Sequence, residues 1–122
     1  MEQQENFDRI KFMFQKYVPP LSVMMDSKER YDLYSHKEVE LNGRRYKEIY
    51  FGSVILKPKY TGFYFMPMYI FPELLNEVPD ALKKLQTGKS CFHIKKYDKE
   101  IFDAITLLMK SGFEMYKKHK YV

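Results

Sequence analysis

Cys91 and His93 stand two residues apart in Cys91-Phe92-His93-Ile94, so on an extended strand they share a face. That is the adjacency a thiolate–imidazole pair or a metal site would use. A metal needs three or four ligands, and neither His36 nor His119 stands at a ligand spacing from them. A buried thiol beside a hydrogen-bonded imidazole is therefore the reading of first resort. Two acidic sets could offer the hard oxygen ligands that iron prefers: Glu5 with Asp8 near the start, and Glu73, Glu77 and Asp80 further on. Pro79 interrupts the second set, and Lys83 and Lys84 beside it would repel a cation. Thr87-Gly88-Lys89-Ser90 has the ending of a phosphate-binding loop. Its earlier glycine would fall at Lys83, and a strand rather than a helix follows, so a helix-terminating glycine is the better reading. Arg44, Arg45 and Lys47, with Tyr46 and Tyr50 close by, could hold phosphate or a single strand by charge and stacking, or could simply keep a turn soluble.

Bulk sets this chain apart more than charge does. Its 122 residues include 11 Tyr, 10 Phe and eight Met but no Trp, more soft, wide surface than one small core usually takes. The densest stretch is Tyr60 to Phe71. If long helices cover one side of it, the Tyr and Met side chains on the other side need a pocket or a partner. The candidate ligand or partner surface is accordingly Tyr50, Tyr64, Met66 and Tyr69, extended by Cys91 and His93.

Those residues are positioned by elements that can be read in turn. Phe7, Ile10, Phe14 and Tyr17 recur at helical spacing and make the first segment an amphipathic helix that Pro19-Pro20 stops. Leu21–Met25 and Tyr31–Ser35 are short strands around a charged turn. Asn42-Gly43, with Glu38–Leu41 before it and Arg44–Tyr46 after, is a tight hairpin, because both turn residues accept positive φ. Lys47–Leu56 and Phe63–Ile70 are bulky on both parities, as buried neighbouring strands of a central hairpin are. Pro72 and Pro79 each start a short helix that caps the sheet, the second ending at Gly88. Cys91–Lys95 is one more strand. Asp98 then caps a long final helix with the stripe Ile101, Ile105, Leu108, Gly112 and Tyr116, where Gly112 marks a close approach to the sheet.

The predicted fold class is α+β: an antiparallel β-sheet of about five strands, with long N- and C-terminal helices and short helices after the central hairpin. A single domain spans 1–122, since this length supports one core and not two. One cysteine excludes an internal disulfide, the N-terminus lacks the order of a secretory signal, and no apolar run approaches the roughly 18 residues of a membrane span. A cytoplasmic location is expected. The 21 Lys and Arg exceed the 16 Asp and Glu by five, but they are spread along the chain without a like-charged run, which argues against nucleic acid as partner.

Three stretches, Lys47-Glu48-Ile49-Tyr50-Phe51-Gly52-Ser53-Val54, Gly62-Phe63-Tyr64-Phe65-Met66-Pro67-Met68-Tyr69 and Gly88-Lys89-Ser90-Cys91-Phe92-His93-Ile94-Lys95-Lys96, resemble the YdhG-like family of small bacterial domains, as does the ending Gly112–Lys118. The resemblance spans nearly the whole chain after the first helix. It implies an antiparallel sheet with flanking helices and a bacterial source, and it carries over no catalytic residue. Some relatives are described as frataxin-like iron chaperones for iron–sulfur cluster assembly, which hold iron on an acidic helix and edge. The expected function is thus a non-enzymatic binding domain, without a cofactor, that takes a small apolar ligand or a protein partner on its aromatic and Met-rich sheet surface. A homodimer is compatible with it. The alternative is iron binding and delivery through Glu5, Asp8, Glu73, Glu77 and Asp80.

Overall fold

The computed structural model describes residues 2–122. Helix α1, Glu2–Gln15, buries Phe7, Ile10 and Phe14 as its periodicity requires, and the chain then turns through the proline pair into strand β1, Ser22–Asp26. The Ser27 hydroxyl accepts the amides of Glu29 and Arg30, which closes a tight turn into β2, Arg30–Ser35. Strands β3, Val39–Leu41, and β4, Arg44–Tyr46, form their own two-stranded ribbon. Its turn places Asn42 at φ 51° and Gly43 at φ 78°, the left-handed pair that an Asn-Gly hairpin uses.

Strand β5, Ile49–Leu56, and β6, Thr61–Phe65, are the central hairpin. Helix α2, Pro67–Ile70, a 3₁₀ turn over Pro72–Glu77 and helix α3, Asp80–Lys83, lead to β7, Cys91–Ile94, and to the long helix α4, Lys99–Lys118. The main sheet runs β1-β2-β5-β6-β7 and is antiparallel throughout. The α+β class, the five strands and the two long flanking helices thus match the expectation.

One expected strand is corrected. The apolar run Phe63–Ile70 does not continue as sheet: β6 ends at Phe65, and Pro67 opens α2. Proline has no N–H for the ladder and its fixed φ suits the first turn of a helix, so the bulky residues after it are withdrawn from the sheet. Met66 makes the last link, its N–H donating to the Phe51 carbonyl at 2.9 Å.

Register divides the sheet into two faces. On one, Leu33 is opposite Gly52, Gly52 opposite Phe65, and Val54 opposite Phe63, which in turn meets Phe92. Both long helices pack here: Phe14 of α1 lies 5.8 Å from Phe63, and Tyr116 of α4 lies 5.5 Å from Phe51, ring centre to ring centre. Gly112 permits the approach of α4, since a Cβ there would come within 2.4 Å of the Phe65 ring. The short helices, expected to cap the sheet, lie against α4 and bury Leu74 and Leu82.

Candidate functional site

The second face of the sheet is polar and aromatic. A single cross-strand row, Met25–Asp32–Ser53–Tyr64–Cys91, crosses all five strands. The row beside it holds Arg30, Ile55, Gly62 and His93. On the other flank a bulge in the β2–β5 pairing puts Tyr34 opposite Tyr50, with ring centres 5.2 Å apart.

Three small groups form its floor: Ser53 is fully buried, and Asp32 and Cys91 are nearly so. The Tyr50 hydroxyl donates to Ser53 Oγ. Arg30 Nε donates to both carboxylate oxygens of Asp32, at 2.9 and 3.0 Å, so the buried carboxylate holds the guanidinium in one orientation. Burial drives the Tyr50 phenol well above its ordinary range and the Tyr64 phenol up to about 12, with the neighbouring Cys91 adding to the latter. Both hydroxyls therefore stay protonated, each able to donate and to accept a hydrogen bond. His93 stacks on Tyr60, ring centres 3.9 Å apart and planes within 18° of parallel. Cys91 and His93 do share this face as alternation requires, yet each lies against a different tyrosine.

Next to this face opens a cleft of about 540 Å³ between the β3–β4 ribbon and α2, with walls that include Leu41, Tyr46, Met66, Tyr69 and Ile70. Tyr50 lines it too and joins it to the sheet face. Tyr46 and Tyr69 stand 40% and 52% exposed at its rim. The local causes are plain: the Asn42-Gly43 turn holds one wall, and Pro67, by ending β6, swings Met66 and Tyr69 off the sheet to make the other. From behind, the Tyr116 hydroxyl of α4 donates to the Tyr50 carbonyl at 2.6 Å and fixes the backbone under the shared ring. Glu48 supplies a carboxylate to the cleft, 3.6 Å from His36 Nδ1.

Six residues were singled out from sequence as one sheet surface, and the structure distributes them over two. Tyr64, Cys91 and His93 stay on the sheet face, Met66 and Tyr69 line the cleft, and Tyr50 belongs to both. Missed were Arg30, Asp32, Tyr34 and Ser53 on the face and Leu41 in the cleft, where Tyr46, read from sequence only as a stacking ring beside the basic turn, also lies. The first three were legible, because Arg30, Asp32 and Tyr34 alternate with apolar Tyr31 and Leu33. The places of Leu41 and Tyr46 in the cleft had no local signal, since they meet Tyr69 only through the tertiary fold.

The carboxylates considered for iron are dispersed. Glu5 sits 4.0 Å from Arg9 on α1 and Asp8 accepts from Gln4, while Glu77 accepts from Ser111 of α4 and Asp80 begins α3. Glu73 lies in the first turn of the 3₁₀ segment. Among the described residues no three His, Cys, Asp or Glu side chains are grouped to hold a metal ion. Arg45, of the basic hairpin, pairs with Glu38 across the ribbon at 3.2 Å. No described helix is long and apolar enough to cross a membrane.

Comparison with models of protein families, with curated proteins and with solved structures gave no match.

Proposed function

We propose that this chain is a non-catalytic binding domain that takes a small, mostly apolar ligand in the cleft between the β3–β4 ribbon and α2. The observation that carries this reading is the cleft itself: about 540 Å³, walled by apolar and aromatic side chains, with two large rings left open to solvent at its mouth. That volume falls within the roughly 300–1,000 Å³ of small-molecule sites, and a few polar groups among apolar walls is their usual composition. Tyr46, Tyr50 and Tyr69 offer faces for a flat ligand and hydroxyls to orient it, while Glu48 and Asn42 favour a neutral or donor-bearing edge. Two other hollows, one lined by Gln3, Gln4, Glu29, Leu56, Lys57 and Pro58 and the other by Glu77, Pro79, Lys99, Glu100, Asp103, Ala104 and Leu107, hold no aromatic ring for a flat ligand to stack on.

The test uses N-phenyl-1-naphthylamine, a neutral, apolar fluorescent probe with one N–H donor, on the whole chain, with amide shifts mapped by NMR. Saturable binding that moves the amides of Tyr46, Tyr50, Met66 and Tyr69 is expected. Tyr69→Ala, which removes an exposed ring, should weaken binding about three- to tenfold, the worth of one aromatic contact. Unchanged affinity in that variant, or shifts confined to other surfaces, would overturn the reading.

A further inference from the structure

The polar groups of the cleft between the β3–β4 ribbon and α2 are one-sided in charge. Among the described residues that line it only one side chain is ionic, the carboxylate of Glu48. His36 Nδ1 lies 3.6 Å from that carboxylate, too far for a hydrogen bond, and the Glu48 side chain is 44% exposed, so its oxygens keep room for a donor. The basic residues of the adjoining hairpin do not neutralise it. Arg45 pairs with Glu38 at 3.2 Å, on the ribbon face away from Tyr46, and neither Arg44 nor Lys47 lines the cleft. Three phenol rings share the cleft with the carboxylate: Tyr46, Tyr50 and Tyr69. Tyr50 meets the Tyr34 ring from the sheet side. Among the described residues Arg9, Lys11 and Lys117 sit over the rings of Tyr97, Tyr31 and Phe113, but no lysine or arginine sits over a ring of the cleft.

We propose that the ligand of this cleft is a protonated organic amine, an aromatic body on a short chain whose ammonium is held by Glu48 and set against the tyrosine faces. The inference rests on the cleft being a ligand site and adds the charge of the ligand's polar end. An aliphatic amine, like the lysine side chain, is a cation at neutral pH. Its N–H groups donate to a carboxylate in charge-assisted bonds roughly twice as strong as those between neutral partners. The electron-rich faces of phenol rings attract the same charge when it lies within about 6 Å of a ring centre. A neutral alcohol gains less from Glu48 and nothing from the ring quadrupoles, and an anion is repelled by both. The chain's net charge of +5 opposes a cation at long range, but physiological salt screens such charges beyond about 8 Å, so the groups lining the cleft decide. Leu41, Met66 and Ile70 supply apolar wall for the aromatic body.

The experiment titrates the whole chain with phenethylamine and with phenethyl alcohol, which share a body and a donor-bearing end and differ in charge. Affinities are read by competition with N-phenyl-1-naphthylamine and by amide shifts in NMR. Phenethylamine should bind at least about tenfold more tightly than the alcohol, and both should move the amides of Tyr46, Glu48 and Tyr69. Glu48→Gln keeps the shape of the side chain without its charge and should narrow that ratio to about threefold or less. Should the variant fail to fold, the ratio in the native chain alone decides. Equal affinities with both ligands in the cleft, a ratio indifferent to Glu48→Gln, or an amine that moves other surfaces while the alcohol moves the cleft would each overturn the inference and leave the cleft a ligand site. Shifts that miss the cleft for the naphthylamine and for both phenethyl ligands would overturn that reading and the inference with it.

Discussion

At the scale of single residues, the site depends on what stands behind it. Tyr50 can serve both the cleft and the sheet face because α4 comes close enough for Tyr116 to reach its carbonyl, and α4 comes that close only because residue 112 has no side chain. Two effects oppose each other in Gly112→Ala. Helix propensity favours alanine by about 1 kcal/mol. Against it, the new methyl would lie 2.4 and 2.5 Å from Phe65 ring atoms and 2.9 Å from Pro67 Cβ. Phe65 has no exposed surface and is held between Phe51 and Phe63, with ring centres at 5.2 and 5.5 Å, so it cannot swing clear. Overpacking of this kind costs about 1–3 kcal/mol or more, and at such distances it outweighs the gain. Gly112→Ala should lose about 1–2 kcal/mol in urea unfolding; a more stable variant would show that Phe65 has room to move.

Elements were legible where a local rule had no competitor. Asp98 was readable as an N-cap, and its Oδ1 does accept the amides of Glu100 and Ile101, at 2.9 and 3.4 Å. Asp98→Ala should therefore cost about 1 kcal/mol, while Asp98→Asn should largely keep the cap; thermal melts of the two variants check this directly. The Asn-Gly ribbon was equally plain, whereas the short strands on either side of Ser27 carried little local signal beyond the charged turn between them. The run from Phe63 to Ile70 was not, because bulk on both parities suits a buried strand and a buried helical turn alike, and Pro67 decides between them. That ambiguity also hides the cleft, whose α2 wall reads as sheet from the sequence alone. Parity placed Cys91 and His93 on one face correctly, but that Tyr64 joins them, and which face the helices would cover, depend on long-range pairing and packing that no short window contains.

At the scale of the whole molecule, the aromatic content becomes a pH dependence. Of 11 tyrosines, Tyr17, Tyr31, Tyr50, Tyr64 and Tyr116 all have phenols shifted upward, each chiefly by burial. A raised phenol keeps its proton in the fold at a pH where the unfolded chain has lost it. The native state then binds more protons than the unfolded one, and stability falls as pH rises. The loss begins near the ordinary tyrosine value of about 10, and the Tyr64 share of it is complete once its folded value of about 12 is passed. Tyr50 and Tyr116, the most deeply shifted, keep adding to the loss beyond that point. Urea midpoints should thus be flat with respect to tyrosine from neutrality to about pH 9 and then drop steeply. Lysine deprotonation overlaps this range, so the assignment rests on variants: Tyr116→Phe removes one shifted phenol and no lysine, and should make the alkaline drop shallower even though it forfeits the bond to the Tyr50 carbonyl at neutral pH. An equally steep drop in Tyr116→Phe would mean that the buried tyrosines do not govern the alkaline limit, and that the loss of lysine charge on the surface does.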